Sequence, residues 1–580
     1  RNVTGVQTCA LPIPASRLIL AINHAKQKDV EAMPGEGEKL PPHQIAALTE
    51  WVKQGLPWPA EAGPVVGDPR KHWAFQPVVA PPTPAVRSPE RLRSPLDAFV
   101  LAKLEAEGLT FSPEVPRDVL ARRLYLTLWG LAPTAAEIEA FAQDRDPQAV
   151  EKLVDRLLAT DDHARFWSLK WSDLLRVNSK RLTKSGVHKF RRWLFDIVKN
   201  DVPLNQFAHE LLTATGSTQQ NAAAAYWKAS RDEIDATETT AQLFLGVRIQ
   251  CAKCHNHPFE KWTQDDYYGT AAAFNRVGRK ETGLPDDEMI FVKAGGEVTQ
   301  PRTGRQMKVR LLLQGDVDVA AGVDRRVVFA DWLTSGSNPF FARSISNRIW
   351  GHVVGRGIVD PVDDFRDSNP PSNPELLNYL ADQLVQSNFS ARHLIRTIMT
   401  SRVYQLSSKR NRFNADDETY FSHATTRMLT AEQLLDAICA VTGQAEEYPG
   451  MPAGTLAIDL VDPPEGHKFL QVFGQPQREL PCECERSTDS NLSQALQLIN
   501  GPTVHNKLRA DAGNVHRWIT EGKSDADIIN LLYQSALSRP ALPQEQETAA
   551  AHIKASEDRT RALEDVAWAV INSKEFLFQH

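Results

Sequence analysis

The residues of this chain that are most able to do chemistry lie between Cys251 and Trp262, in the segment CAKCHNHPFEKW. Cys251 and Cys254 are separated by two residues, and His255 follows directly. This is the spacing at which two thiols attach to the vinyl groups of a c-type haem while the next histidine binds the iron. The sequence therefore predicts a covalent haem c held by Cys251, Cys254 and His255. We expect the neighbouring His257 to anchor the loop or a haem propionate, because it is too close to His255 to reach the other face of the iron.

A second pair of cysteines, Cys482 and Cys484, lies in the segment PCECER. One residue separates them, so the pair is a disulfide, two reduced thiols or half of a metal site. The last of these gives an alternative to haem, in which Cys251, Cys254, Cys482 and Cys484 bind one tetrahedral Zn²⁺ together with His255 or His257. Two close pairs of soft ligands suit zinc, and this alternative stays open at the level of the sequence.

An enzyme is the third class of function, and its catalytic residues are unknown from the sequence. The chain has no glycine-rich dinucleotide motif, P-loop, HExxH motif or nucleophile elbow, which excludes the common cofactor-dependent and hydrolase classes. Carboxylates gather upstream of Cys251 and again at 360–367, but such clusters are typical of helix caps and turns. The substrates considered for this class are sugars and polysaccharides.

The composition is that of a globular protein with several domains. The chain has 580 residues, of which 42% are apolar and 24% charged, and its formal net charge is −6. This balance gives no sign of a nucleic-acid-binding surface, and no apolar run approaches the roughly 20 residues of a transmembrane helix. Residues 1–13 read like a translated sequencing adapter, so we expect them, with Cys9, not to belong to the fold.

The elements that would position these residues form a mainly α-helical, multidomain protein with a small β-rich insertion. Residues 14–60 resemble the C-terminal half of a small cytochrome c domain, in which Met33 would be a distal iron ligand and a helix over 42–54 would close the domain. Because no Cys-x-x-Cys-His precedes it, this segment is predicted to be a remnant. Residues 61–93 are a proline-rich linker, 94–279 a helical domain with the haem motif, 280–322 the β-rich insertion and 323–580 a helical C-terminal domain.

Helix-start signals support this division. Ser94 and Asp97 flank a proline at the first helical position, and Thr134 is followed three residues later by Glu137. The stripe Leu243, Phe244 and Val247 leads into Cys251, and we expect it to supply an apolar wall for the haem.

Several long blocks carry a family resemblance: CAKCHNHPFEKWTQDDYYG, RIWGHVVGRGIVDPVDDFRDSNPPSNPELL, SRVYQLSS, CECERSTDSNLSQALQLINGP and INSKEFLF. Together they resemble a planctomycete-type family of multidomain cytochrome c proteins, with a second cytochrome-like domain and a planctomycete-specific C-terminal domain. The resemblance implies haem binding and export to the periplasm or beyond, where haem is attached to this motif. The Cys-x-x-Cys-His and the remnant cytochrome segment predict an electron relay for an associated oxidoreductase, with an unknown redox partner protein. The resemblance leaves the biochemical activity unassigned.

Overall fold

The computed structural model describes residues 16–24, 33, 39–54, 73–256, 260–486 and 491–580. Elements are numbered below in chain order within these ranges. The protein is mainly helical with only small sheets, which confirms the predicted fold class. It divides into two compact units, residues 1–68 and 69–580. Within the described ranges, none of the helices has both the length and the apolar character needed to cross a membrane.

The first unit contains α1 (Arg17–Ile22) and α2 (Pro42–Lys53). The helix predicted over 42–54 is confirmed to within one residue, and Pro42 opens it at a position where its missing N–H costs nothing. Val52 is fully buried against Leu18, Ile19 and Trp51. These few apolar contacts are the core of the unit in the ranges that the structure describes.

The second unit begins with helices that lead to the cysteine motif. They are α3 (Pro95–Ala106), α4 (Arg117–Leu128), α5 (Ala135–Gln143), α6 (Ala149–Leu158), α7 (Asp161–Leu174), α8 (Ser179–Lys199), α9 (Leu204–Thr213), α10 (Ala225–Ala229), α11 (Glu233–Thr240) and α12 (Gln264–Ala271). Both predicted helix starts are confirmed, and each forms a capping box: Asp97 accepts from the backbone N–H of Ser94 at 2.8 Å, and Glu137 accepts from that of Thr134 at 2.8 Å.

The predicted β-rich insertion is present as short antiparallel pairs. Strands β2 (Val277–Glu281) and β3 (Glu288–Val292) form a sheet with β1 (Gly216–Ser217), in the order β1-β3-β2. In that sheet Arg279 lies opposite Ile290, whose side chain faces the core. Strands β4 (Val309–Leu311) and β5 (Gly315–Val317) form a separate hairpin.

Helices resume after the insertion. They are α13 (Arg325–Thr334), α14 (Phe341–Val354), α15 (Pro374–Gln386), α16 (Ala391–Met399), α17 (Arg402–Gln405), α18 (Ala431–Thr442), α19 (Lys468–Val472), α20 (Leu492–Asn500), α21 (Pro502–Leu508), α22 (Asn514–Thr520), α23 (Asp525–Leu537), α24 (Pro543–Ala555), α25 (Arg559–Ile571) and α26 (Lys574–Leu577). A last strand pair joins β6 (Arg427–Met428) to β7 (Phe578–Gln579).

Two large apolar clusters hold the second unit together. The larger runs from Ala74 to Ile458 and takes residues from both 94–279 and 323–458. The smaller is made mainly of residues from Leu429 to Phe576. The larger cluster includes most of the apolar residues of α7 and of α14. Both helices also carry charged residues that form ion pairs with the segment around the second cysteine pair.

Candidate functional site

The cysteine motif is positioned by a sharp turn at the end of a helix. A π-helical stretch, Ala241–Leu245, follows α11 and ends at Gly246, whose φ of 67° is left-handed. The Gly246 carbonyl accepts from the Phe365 N–H at 2.9 Å, and a Cβ on Gly246 would lie 2.6 Å from Cδ2 of Phe365. Glycine is therefore required there both by the backbone conformation and by the close approach of the ring. The chain then enters a short 3₁₀ helix, Gln250–Lys253.

Helix α12 holds the motif in place through hydrogen bonds to Lys253 and Asn256. The carbonyl of Lys253 accepts from the Tyr268 hydroxyl at 3.0 Å and from the Gln264 side-chain amide at 3.1 Å. The Asn256 side-chain oxygen accepts from the backbone N–H of Gln264 at 3.1 Å. These bonds use backbone groups and Asn256, so the cysteine and histidine side chains are left available.

The predicted haem ligands are accessible. Cys251 and Cys254 are free thiols, and both are exposed. His255 is also exposed, and its Nδ1 lies 2.8 Å from the Asn256 carbonyl. A carbonyl can only accept, so Nδ1 donates the proton of this hydrogen bond, and in the neutral form of the ring Nε2 keeps its lone pair. Within the described part of the chain Nε2 has no partner.

The apolar wall predicted from Leu243, Phe244 and Val247 is wrong. These side chains are 0%, 0% and 2% exposed and belong to the larger apolar cluster, where Phe244 packs 6.1 Å from Phe341 between ring centroids. They face the protein core, because the turn at Gly246 redirects the chain before Cys251. The stripe is therefore not available to a group held by the motif.

Of the other predicted iron or zinc ligands, one belongs to the first unit and one lies outside the described ranges. Met33 belongs to the first unit and is 51% exposed, with its backbone N–H bonded to the Ala21 carbonyl at 3.1 Å. His257 lies outside the described residues. In the ranges that the structure describes, no group of three or more His, Cys, Asp and Glu side chains is arranged to hold a metal ion.

The second cysteine pair forms a disulfide. Cys482 and Cys484 are bonded to each other with their Cα atoms 5.2 Å apart, so of the three states open at the level of the sequence the structure adopts the first. Cys482 is 5% exposed while Cys484 is exposed. With both sulfurs bonded, neither cysteine is a thiolate donor, and the zinc alternative would require the pair to be reduced.

A short path of contacts connects the two cysteine pairs. Gln250, the residue before Cys251, donates from its amide to the Gln242 side-chain oxygen at 3.3 Å. The backbone carbonyl of Gln242 accepts from Arg348 of α14 at 3.4 Å. Arg348 in turn forms an ion pair with Glu483, the residue between the two disulfide cysteines. Arg348 thus contacts Glu483 of the disulfide segment directly, and it is connected to the free-thiol segment through Gln242.

A network of buried charges surrounds that path. Asp173 of α7 pairs with Arg478 at 2.9 Å and with Arg486 at 2.7 Å, and Arg486 also pairs with Glu432 at 2.7 Å. Glu432 is fully buried. Burial would raise its pKa, but the charge of Arg486 and its hydrogen bonds outweigh that cost and lower the pKa to about 2.

Two titratable groups of the network are held away from their usual charge states. Lys170 of α7 lies over the rings of Phe166 and Trp167, and burial followed by the charges of Arg427 and Arg486 lowers its pKa to about 7. Burial, then the charge of Lys170, lowers the pKa of His352 well below its ordinary value. The His352 ring is therefore neutral at pH 7, with Nε2 3.6 Å from the Glu483 carboxylate.

Sequence reasoning did not single out Lys170, Arg348, His352 or Glu483. They come from three distant segments and match no local motif. One signal was present, because Arg348 and His352 are four residues apart and so share one face of a helix, inside the block RIWGH. The acidic cluster upstream of Cys251, in contrast, includes a predicted cap: Asp232 caps α11 by accepting from the Asp235 N–H at 2.8 Å. In the cluster at 360–367, Asp363 is buried and pairs with Arg248, three residues before Cys251.

Comparison with known proteins assigns both halves of this site to domain families. Residues 95–279 match the family model PSCyt2, described as a protein of unknown function (DUF1549). Residues 325–458 and 460–553 match PSD1, also described as a protein of unknown function (DUF1553). Both are planctomycete-type domain families of unknown function. No curated protein and no solved structure matches the chain significantly.

The matches divide the site between the two families. The PSCyt2 match contains Cys251, Cys254 and Lys170. The PSD1 match contains Arg348, His352 and the disulfide segment. The resemblance predicted from the sequence blocks is confirmed at the level of these two domain families. Haem binding stays a prediction.

Proposed function

We propose that this protein is an exported c-type cytochrome-like protein that carries a covalent haem on Cys251 and Cys254 and relays electrons to or from a redox partner. The observation that carries the proposal is that the two thiols and one imidazole nitrogen of the motif are accessible and unbonded among the described residues. Both thiols are free and exposed, and His255 bonds its Nδ1 to the Asn256 carbonyl while Nε2 is left without a partner among the described residues. These are the groups, in the chemical state, that attachment and axial ligation require.

The chain's own residues would hold the group as follows. Cys251 and Cys254 provide the two thioether bonds, and His255 provides an axial nitrogen whose ring orientation is fixed through Nδ1. Tyr268 and Gln264 hold the Lys253 carbonyl and so keep the motif on α12. Haem, when bound, supplies an iron that gains and loses one electron. Because the motif is exposed, a partner protein could approach it closely, which suits a relay.

The disulfide supports export. Cys482–Cys484 is the kind of bond that persists in oxidising compartments, and haem attachment to Cys-x-x-Cys-His also takes place outside the bacterial cytoplasm. The two features are independent of each other in sequence and agree on the compartment. An oxidising compartment also keeps the Glu483 turn closed against Arg348.

The test is to express the chain in the periplasm together with a haem-attachment system. We expect a c-type pyridine haemochrome spectrum and a haem-stained band on a denaturing gel. Cys251→Ser and Cys254→Ser should each lower the yield of covalent haem and shift its spectrum, and the double variant should abolish it. Cys439→Ser is the matched control, since Cys439 lies in α18 and should leave haem unchanged. Absence of covalent haem from the wild-type chain, while a standard cytochrome c matures in the same cells, would overturn the proposal.

Zinc is the second candidate, and the contact path between the two cysteine pairs is the observation that favours it. If purified protein held stoichiometric zinc, and Cys482→Ser removed it, the shared zinc site would replace haem. Glu446→Gln would serve as the control in that experiment, because Glu446 pairs with Lys507 and not with a residue of either cysteine pair. Zinc that survives Cys482→Ser would instead be bound without the second pair.

A further inference from the structure

A small enclosed cavity lies between α7 and α14, beside the ion pair of Arg348 and Glu483. Its volume is about 20 Å³. Its lining includes Trp167, Lys170, Trp171, Arg348 and His352. Within the described residues the lining contains two cationic side chains and a histidine but no carboxylate. A cavity of this volume holds one water-sized particle.

The cations that line this cavity have unused donors. Lys170 has no hydrogen bond and no ion pair in the part of the chain that the structure describes, where its contacts are with the rings of Phe166 and Trp167. Arg348 is 2% exposed, and its Nε is buried with no acceptor among the described side chains and backbone. A buried donor without an acceptor is destabilising, so an acceptor in the cavity would stabilise the folded protein.

The surrounding network carries more positive than negative charge. Its carboxylates are all ion-paired, because Asp173 and Glu432 are paired with arginines of the disulfide segment and Glu483 is paired with Arg348 through Oε1. The other oxygen of Glu483, Oε2, is buried without a hydrogen bond among the described residues. Arg427 bonds to uncharged oxygens, those of the His352 backbone and the Gln579 amide. The network thus sets four arginines, Arg348, Arg427, Arg478 and Arg486, against three carboxylates, Asp173, Glu432 and Glu483, and Lys170 adds to the positive charge in its protonated form.

We propose that this cavity binds a single halide ion, chloride under ordinary conditions, between Lys170 and Arg348. A water molecule could accept from the same donors, but it would not reduce the excess of positive charge. The cavity has room for about one water-sized particle, so a small monatomic anion fits it better than phosphate, sulfate or a carboxylate group. The ion would bridge α7 to α14 and would keep Lys170 charged next to the Arg348–Glu483 pair.

The solution test uses the whole chain and compares halide salts with sodium gluconate at equal ionic strength. Since a ligand that binds only the folded state raises the unfolding midpoint, chloride and bromide should raise the thermal midpoint with saturation in the millimolar range, and gluconate should not. Lys170→Met should abolish the difference between the salts. Lys308→Met is the matched control, because Lys308 is 59% exposed on the β-rich insertion and should retain the full halide effect.

A crystal soaked in bromide gives a second readout that does not depend on any variant. We expect an anomalous peak in the cavity, in contact with Lys170 Nζ and Arg348 Nε. A water in that position, together with equal unfolding midpoints in chloride and gluconate, would overturn the proposal. So would a bromide peak without any halide effect in solution, since that would be binding at crystal concentration only. Because the site is separate from the haem motif, failure here leaves the proposed haem function intact.

Discussion

Arg348 of α14 forms an ion pair with Glu483, the single residue enclosed by the Cys482–Cys484 disulfide. The same guanidinium reaches the carbonyls of Gln242 and Leu243 at 3.4 Å, just before the turn into the free-cysteine motif. One buried arginine therefore holds together parts of the chain that match two different domain families. The stability of the segments around the two cysteine pairs therefore depends on this buried side chain of α14.

Replacing Arg348 by alanine should be strongly destabilising. The change leaves the Glu483 carboxylate without its main partner and two carbonyls without a donor, and breaking a buried pair in this way costs about 3–5 kcal/mol. Urea unfolding at pH 7 measures the loss. Arg192→Ala is the control, because its pair with Asp196 is exposed and is expected to change stability by less than about 0.5 kcal/mol. Equal effects of the two substitutions would show that Arg348 does not hold these segments together.

Gly246→Ala should also be destabilising, for a steric reason. The new Cβ would lie 2.6 Å from Phe365 Cδ2 and 3.1 Å from Ser344 Oγ, in addition to the strain of a φ of 67°. Left-handed backbone costs about 1–2 kcal/mol for alanine, and overpacking adds about 1–3 kcal/mol. Gly304→Ala separates the two effects, because Gly304 has a φ of 69° but no described atom lies within 4 Å of the place that its new Cβ would take. Urea unfolding of both variants should show the larger loss for Gly246→Ala.

The local features of the fold were predictable from sequence, since they depend on neighbours along the chain. Capping at Ser94 and Thr134 and the β-rich character of 280–322 follow from turn chemistry and residue alternation, and both are present, whereas β2 begins earlier than predicted, at Val277. The Cys-x-x-Cys-His motif was also predictable, because all of its reactive side chains lie within five consecutive residues.

The charge network was not predictable in this way. Asp173 and Arg478 are 305 residues apart, and no local pattern distinguishes a buried ion pair from a solvated charge. The stripe at Leu243 and Phe244 was predicted to face the haem, and it faces the protein core instead, for a related reason. Periodicity shows that a stripe is buried but does not identify what covers it, and here the cover is α14 and not a cofactor.

The stability of the C-terminal part should depend on pH through Asp436. This carboxyl accepts from the backbone N–H groups of Ala457 and Ile458 at 2.7 and 3.1 Å, but burial dominates and raises its pKa to about 7. In the unfolded chain the group has a pKa near 3.9, so between about pH 4 and 7 the native state holds a proton that the unfolded state has released. The free energy of unfolding should fall as pH rises through this window, by at most about 4 kcal/mol from this group.

Asp436→Asn isolates that contribution, because asparagine resembles the protonated acid at every pH. Urea unfolding at pH 5, 6, 7 and 8 should show that the variant gains stability relative to the wild type as pH rises, with little further change above pH 8. Asp316→Asn, at an exposed ion pair on β5, is the control and should follow the wild-type pH profile. Parallel profiles for wild type and Asp436→Asn would mean that the carboxyl is ionised in the native state.

The free cysteines should differ sharply in their rates of alkylation before haem is attached. Cys251 and Cys254 are exposed, whereas Cys439 is half-buried in α18 and burial raises its pKa to about 11. Since the thiolate is the reactive form, iodoacetamide at pH 8 should modify Cys251 and Cys254 at least roughly tenfold faster than Cys439. Peptide mass mapping measures each rate, and Cys482 and Cys484 should react only after a reductant is added. Rapid labelling of Cys439, or of the second pair without reductant, would contradict the arrangement, while protection of Cys251 and Cys254 alone after maturation would locate the attached haem on them.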